Sequence, residues 1–165
     1  GSDDALDMIS DVQEMAAEAK DAGLAVVIWS YPRGGDISKE GETAIDIVAY
    51  AAHMAALIGA HIIKVKPPTS HIELTEAKKV YSSEKIPIDS LAARIEHIVQ
   101  SCFKGKRLVV FSGGASKNKQ GLLNEIKDLY KGGASGSIIG RNSFQRPHKE
   151  ALDLLNEVTD IYKGK

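Results

Sequence analysis

Lys64 and Lys66 close the apolar run HIIKVK (61–66) two positions apart. If this run is a strand, both amines project to one face while Ile63 and Val65 project to the other. A sheet interior is costly for two ammonium groups. Burial and a like-charged neighbour both favour the neutral amine, and a neutral amine is a nucleophile able to form an imine with a carbonyl. The alternative is that both amines reach to solvent along their apolar stems, or pair with phosphate or carboxylates. Lys64 lies deeper in the run and is the candidate nucleophile, whereas Lys66, nearer the end, is placed to neutralise an anion.

The run LAVVIWSY (24–31) ends in Trp29-Ser30-Tyr31-Pro32-Arg33-Gly34-Gly35. Trp29 and Tyr31 share a side, so on an interior face Tyr31 would present a phenol able to handle a proton. Two aromatics filling a core fit the same spacing. The run RLVVFS (107–112) leads into Ser112-Gly113-Gly114-Ala115, and GSIIG (136–140) into Gly140-Arg141-Asn142. Glycines at strand ends let backbone N–H groups approach an oxyanion, and Arg141 adds a charged fork. Tight turns without a ligand are the other reading. His53, His61, His71, His97 and His148 show no ligand spacing, so no metal site is expected. Neither a dinucleotide glycine motif, nor a P-loop, nor a nucleophile elbow occurs.

These residues need elements to hold them. The four apolar runs are short, rich in β-branched residues and bounded by Gly or Pro, which predicts four strands. Helical spacing fills the intervals at 42–58, 88–103 and 119–131, with two flanking helices at 3–21 and 147–162. A further short helix falls near 75–82, within the long connection that follows residue 66. Gly23, Gly59, Gly105 and Gly132-Gly133 stand at the helix-to-strand junctions, where a left-handed cap residue is expected. The near-continuous apolarity of the strands predicts a parallel sheet covered on both faces. The reading is therefore one α/β domain over 1–165: four β/α units preceded by one helix. An eight-fold barrel needs about 250 residues, so four units amount to half of one. A doubly wound four-stranded sheet obeys the same alternation.

The 165 residues are 43% hydrophobic and 26% charged, with a formal charge of −1. No broad basic surface is present to attract nucleic acid or anionic lipid, so phosphate recognition must be local. One cysteine, Cys102, excludes an internal disulfide framework. The opening GSDDALDM lacks a basic and apolar leader pattern, and no run is long enough to span a bilayer, so a cytoplasmic location is expected.

The segments WSYPRGG (29–35), ETAIDIVAYAAHMAALIGAHIIKVK (42–66), FSGG (111–114) and GSIIGRNSFQRP (136–147) resemble, in order and spacing, the class I Schiff-base fructose-bisphosphate aldolases of the archaeal and bacterial type. The resemblance covers the C-terminal half of that family's (β/α)8 barrel. It implies that Lys64 forms the imine and that Tyr31 handles protons at the Schiff-base intermediate, with Trp29 lining the site. Arg33 would meet one substrate phosphate, while Ser112, Gly113, Gly114, Gly140 and Arg141 would hold the other. Lys66 is counted among the substrate-binding groups. The implied reaction is reversible cleavage of fructose 1,6-bisphosphate to dihydroxyacetone phosphate and glyceraldehyde 3-phosphate, with no metal or organic cofactor. A phosphorylated sugar and a second copy of the chain are the expected partners. Two alternatives stand beside it: a related Schiff-base enzyme acting on another phosphorylated keto sugar, and a non-catalytic half-barrel that self-associates.

Overall fold

Apolar runs broken by glycine fold here into a four-stranded parallel sheet with helices on one side. The computed structural model describes residues 3–113 and 118–165. In chain order the elements are α1 (Ala5–Asp21), β1 (Val27–Trp29), a 3-10 turn (Gly41–Thr43), α2 (Ile45–Leu57), β2 (Ile62–Val65), α3 (Thr75–Ser83), α4 (Leu91–Ser101), β3 (Leu108–Ser112), α5 (Lys119–Lys131), β4 (Gly136–Ile138), α6 (Arg141–Phe144) and α7 (His148–Tyr162). The strands lie in the order β1-β2-β3-β4 and every neighbouring pair is parallel. The four expected strands and the helices between them are all found. Two short elements, α6 and the 3-10 turn, have no counterpart of their own in the sequence reading. Among the described residues no helix is long and apolar enough to cross a membrane.

Local chemistry fixes the helix limits. Ser90 Oγ accepts from the Ala93 N–H, and Asn118 Oδ1 accepts from the Gly121 N–H, so α4 and α5 begin at side-chain caps. At the other end, Gly59 and Gly133 take φ of +109° and +87°, the left-handed conformation predicted for the junctions. Gly132 is set by a different constraint: a Cβ there would come within 2.5 Å of the Ala92 carbonyl oxygen and of Ile95 Cβ. The end of α5 thus rests directly on α4.

The period of two along each strand divides the sheet cleanly. Ile63, Val65, Val109 and Phe111 face the helices and are fully buried among Ile45, Val48, Ile95, Ile98, Leu122, Ile126 and Leu154. Removing each of these large side chains from water contributes about 1.5–3 kcal/mol. The opposite face carries Val27, Trp29, Leu108 and Ile138, all exposed. Continuous apolarity predicts cover on both faces, yet in this chain the helices cover one alone. The second face is apolar as the inside of a closed barrel would be, and the edges β1 and β4 have no further strand among the described residues.

The close approach at Gly132 gives a direct check of the packing. Gly132→Ala should destabilise the fold by about 1–3 kcal/mol through overpacking against α4. Urea unfolding would show a lower midpoint, and an unchanged midpoint would rule out the contact.

Candidate active site

The register of the strands gathers the chemistry-bearing residues. Trp29 pairs with Lys64, Lys64 with Val110 and Val110 with Gly136, so these positions form one row across the open face. One step towards the carboxyl ends, Ser112 pairs with Ile138. Beyond that row the chain leaves β1 through Tyr31-Pro32-Arg33, β2 through Lys66-Pro67, β3 through Ser112-Gly113, and β4 through Gly140-Arg141-Asn142. Together they line a cleft of about 640 Å³.

Of the residues named from sequence, Tyr31, Arg33, Lys64, Lys66, Ser112, Gly113, Gly140 and Arg141 line this cleft. Trp29 borders it instead: its ring lies 4.8 Å from Lys64 Nζ, and its outer surface turns to an apolar groove between β1 and α1. Gly114 lies outside the described residues. The Tyr31 ring stands between the two lysines, with centroids 5.9 Å from Lys64 Nζ and 5.7 Å from Lys66 Nζ. Arg33 and Arg141 are exposed and follow the two edge strands, β1 and β4, which lie three strand spacings or about 14 Å apart.

Several residues essential to this geometry were not singled out from sequence. Glu42 accepts from Lys66 Nζ at 3.2 Å and from Lys39 Nζ at 2.8 Å. Those two hydrogen bonds hold its carboxyl below the ordinary range. Lys66 therefore has an anionic partner within the chain. Asn142, buried, donates from Nδ2 to the Gly113 carbonyl at 2.9 Å and so ties the turn after β4 to the turn after β3. The sequence signal for Asn142 was its place directly after Arg141. Glu42 gave none beyond opening the segment 42–66.

The loops after β1 and β2 are stitched together by two acids. The buried Asp46 carboxylate accepts from the Glu73 and Leu74 N–H groups, each at 3.0 Å. Glu73 in turn accepts from the Ser38 N–H at 2.7 Å and the Ser38 hydroxyl at 2.9 Å, and meets His71 Nε2 at 2.9 Å. Backbone bonds from Thr69 N–H to the Thr43 carbonyl and from Ile45 N–H to the His71 carbonyl run alongside. A Cβ on Gly41 would sit 2.6 Å from the Glu73 carboxyl carbon, so a side chain there would have to displace the end of Glu73. The histidines that show no ligand spacing all serve the fold where their contacts are described: His53 to the Ser101 carbonyl, His61 to the Val26 N–H, His97 to Tyr81 and His71 to Glu73.

A parallel half-barrel with lysines and glycine turns at its carboxyl ends can be compared with known proteins. The sequence profile of the DeoC/LacD family aldolases matches residues 1–146. The chain belongs to the DeoC/LacD aldolase family. Among curated relatives of this aldolase chain, the class 1 fructose-bisphosphate aldolase of Halobacterium salinarum is 35% identical over 152 residues, covering 92% of the chain and 48% of the relative. The probable class 1 fructose-bisphosphate aldolase of Chlamydia muridarum is 33% identical over 168 residues, covering 93% and 47%. The chain thus spans about half the length of these relatives. A solved archaeal fructose-1,6-bisphosphate aldolase, with its catalytic lysine covalently bound to the carbinolamine intermediate of the substrate, aligns with a TM-score of 0.76 at 27% identity. That alignment covers 98% of this chain and 54% of that one.

The acid that ties the aldolase loops has a pH signature. The Ser38 N–H, followed by His71 and the Ser38 hydroxyl, pulls the Glu73 carboxyl from 4.5 down to about 2. A depressed carboxyl contributes stability that is complete above 4.5 and is lost as pH falls towards 2. The stability difference between the wild-type chain and Glu73→Gln, measured by denaturant unfolding, should therefore be constant above 4.5 and shrink below it. A pH-independent difference would contradict this.

Proposed function

We propose that this chain carries the imine-forming part of a class I aldolase site that reversibly cleaves fructose 1,6-bisphosphate to dihydroxyacetone phosphate and glyceraldehyde 3-phosphate. The observation that carries the reading is the position of Lys64. Its amine lies in the open row of the sheet, 4.8 Å from the Trp29 ring and 5.9 Å from the Tyr31 ring, in a cleft closed at the far edge by the turns at Gly113 and Gly140. The names of the relatives support the substrate.

In this reading the Lys64 amine adds to the ketone at C2; one of its protons and one from a general acid leave with the oxygen as water, and the nitrogen keeps its other proton as the iminium. The iminium then accepts the electron pair of the C3–C4 bond as Tyr31 takes the proton from the C4 hydroxyl, releasing glyceraldehyde 3-phosphate. Tyr31 returns that proton to C3 of the enamine, and addition of water to the resulting iminium releases dihydroxyacetone phosphate and restores Lys64 and the acid. Ser112, Gly113, Gly114, Gly140 and Arg141 take one phosphate, with Arg33 and Lys66 at the other edge. Cationic groups on both sides of the cleft suit a bisphosphate held across the row. The reaction so assigned is a step of glycolysis and gluconeogenesis in the cytoplasm. The open apolar face is covered by self-association in the same proposal, since closure removes both sheet edges.

Cleavage of fructose 1,6-bisphosphate, followed by a coupled assay, tests the assignment. Lys64→Met should lower kcat by about a thousandfold or more while keeping the circular dichroism spectrum, because the stem volume is nearly retained. Tyr31→Phe should lower kcat by about 10²–10⁴-fold. Cleavage at the wild-type rate by Lys64→Met would refute the role of that lysine. Light scattering of an active chain that stays monomeric at all concentrations would refute self-association.

A further inference from the structure

Two lysines occupy one end of one strand, and their surroundings differ. Lys66 Nζ donates to Glu42 Oε2 at 3.2 Å, while Glu42 Oε1 accepts from Lys39 Nζ at 2.8 Å. Both carboxylate oxygens are thus engaged, one on each side. The Glu42 side chain is only 14% exposed, whereas Lys39 is 89% exposed, so the inner bond to Lys66 is the sheltered one. The Lys64 amine, by contrast, meets the rings of Trp29 and Tyr31 and makes no side-chain hydrogen bond with the described residues. The carboxylate cannot readily drift. It sits on the 3-10 turn Gly41–Thr43, whose first N–H donates to Ser38 Oγ, and Ser38 is bound twice by Glu73. The two lysines are the charged groups that face it, Lys39 from its own segment and Lys66 from the end of β2.

We infer that Glu42 is a positioning residue that assigns the two lysines their roles: it holds Lys66 as an ion pair at the cleft wall and leaves Lys64 as the amine that meets the carbonyl. The inference rests on the Schiff-base reading above and deepens it. Imine formation needs an amine that can approach C2, form the C–N bond, and give up one proton as the C–O bond breaks and water leaves. An ammonium held by a carboxylate has its electron pair occupied by a proton and its direction fixed by a charge-assisted hydrogen bond. Without Glu42, two amines stand at similar distances from the Tyr31 ring, 5.9 Å and 5.7 Å, and that ring alone does not choose between them.

The test traps the imine with borohydride in the presence of dihydroxyacetone phosphate and maps the labelled peptide by mass. The wild-type chain should carry the label on Lys64. In Glu42→Gln the ratio of Lys66 to Lys64 label should rise about tenfold, the scale of one lost charge-assisted hydrogen bond. Glu42→Asp, which keeps the charge at shorter reach, should give a smaller change in the same direction, and it carries the test if Glu42→Gln folds poorly. A second readout is the carbon-13 resonance of reductively dimethylated Lys66, which should move on Glu42→Gln. Exclusive Lys64 labelling in every variant, or a Lys66 resonance that stays in place, overturns the role of Glu42 while sparing the Schiff-base reading. Absence of label in the wild type overturns that reading and this inference with it.

Discussion

The parallel in-register pairing of four strands is the constraint from which the rest follows. Because side chains alternate, one set of positions must face the helices and the other must face away, and the sequence fills the first set with Ile63, Val65, Val109 and Phe111. Their burial fixes the register, since a slip of one residue would drive Lys64 into the helix layer and expose the core. Lys64 thereby lands beside Trp29, and both tight turns land at the same end of the sheet. Placement of a lysine among aromatics on an apolar face is thus a consequence of the core on the other side.

What the strands align, the loops must hold. The connections after β1 and β2 are long enough to wander, and bonds from Asp46 and Glu73 fasten each to the other. On the opposite side of the cleft, Asn142 fastens the turn after β4 to the turn after β3. In each case a polar side chain satisfies backbone groups of the neighbouring loop, which gives the fold its unity where the hydrophobic core does not reach. Gly41 belongs to the same device, because a side chain there would occupy the space of the Glu73 carboxylate.

Much of this was legible in the sequence because it depends on local pattern. Apolar runs marked the strands, period 3.6 marked the helices, and Gly23, Gly59, Gly105 and Gly133 adopt the left-handed conformation that their junctions predicted. The run LAVVIWSY is longer than the strand it forms, Val27–Trp29, because β1 is an edge paired on one side only, and Leu24 lies exposed before it. The single turn α6 is too short to show a period. Glu42 and Glu73 stayed hidden for another reason: their partners Lys66 and Ser38 lie 24 and 35 residues away, and only the folded loops bring them together. Cover on both sheet faces, expected from continuous apolarity, is met in this chain on one face alone.

A crystal structure of the chain soaked with dihydroxyacetone phosphate tests the account most directly. It should show continuous density from Lys64 Nζ to C2 of the ligand, with the phosphate against the turns at Gly113 and Gly140. Density joined to Lys66, or a phosphate bound away from the carboxyl ends of the strands, would contradict it.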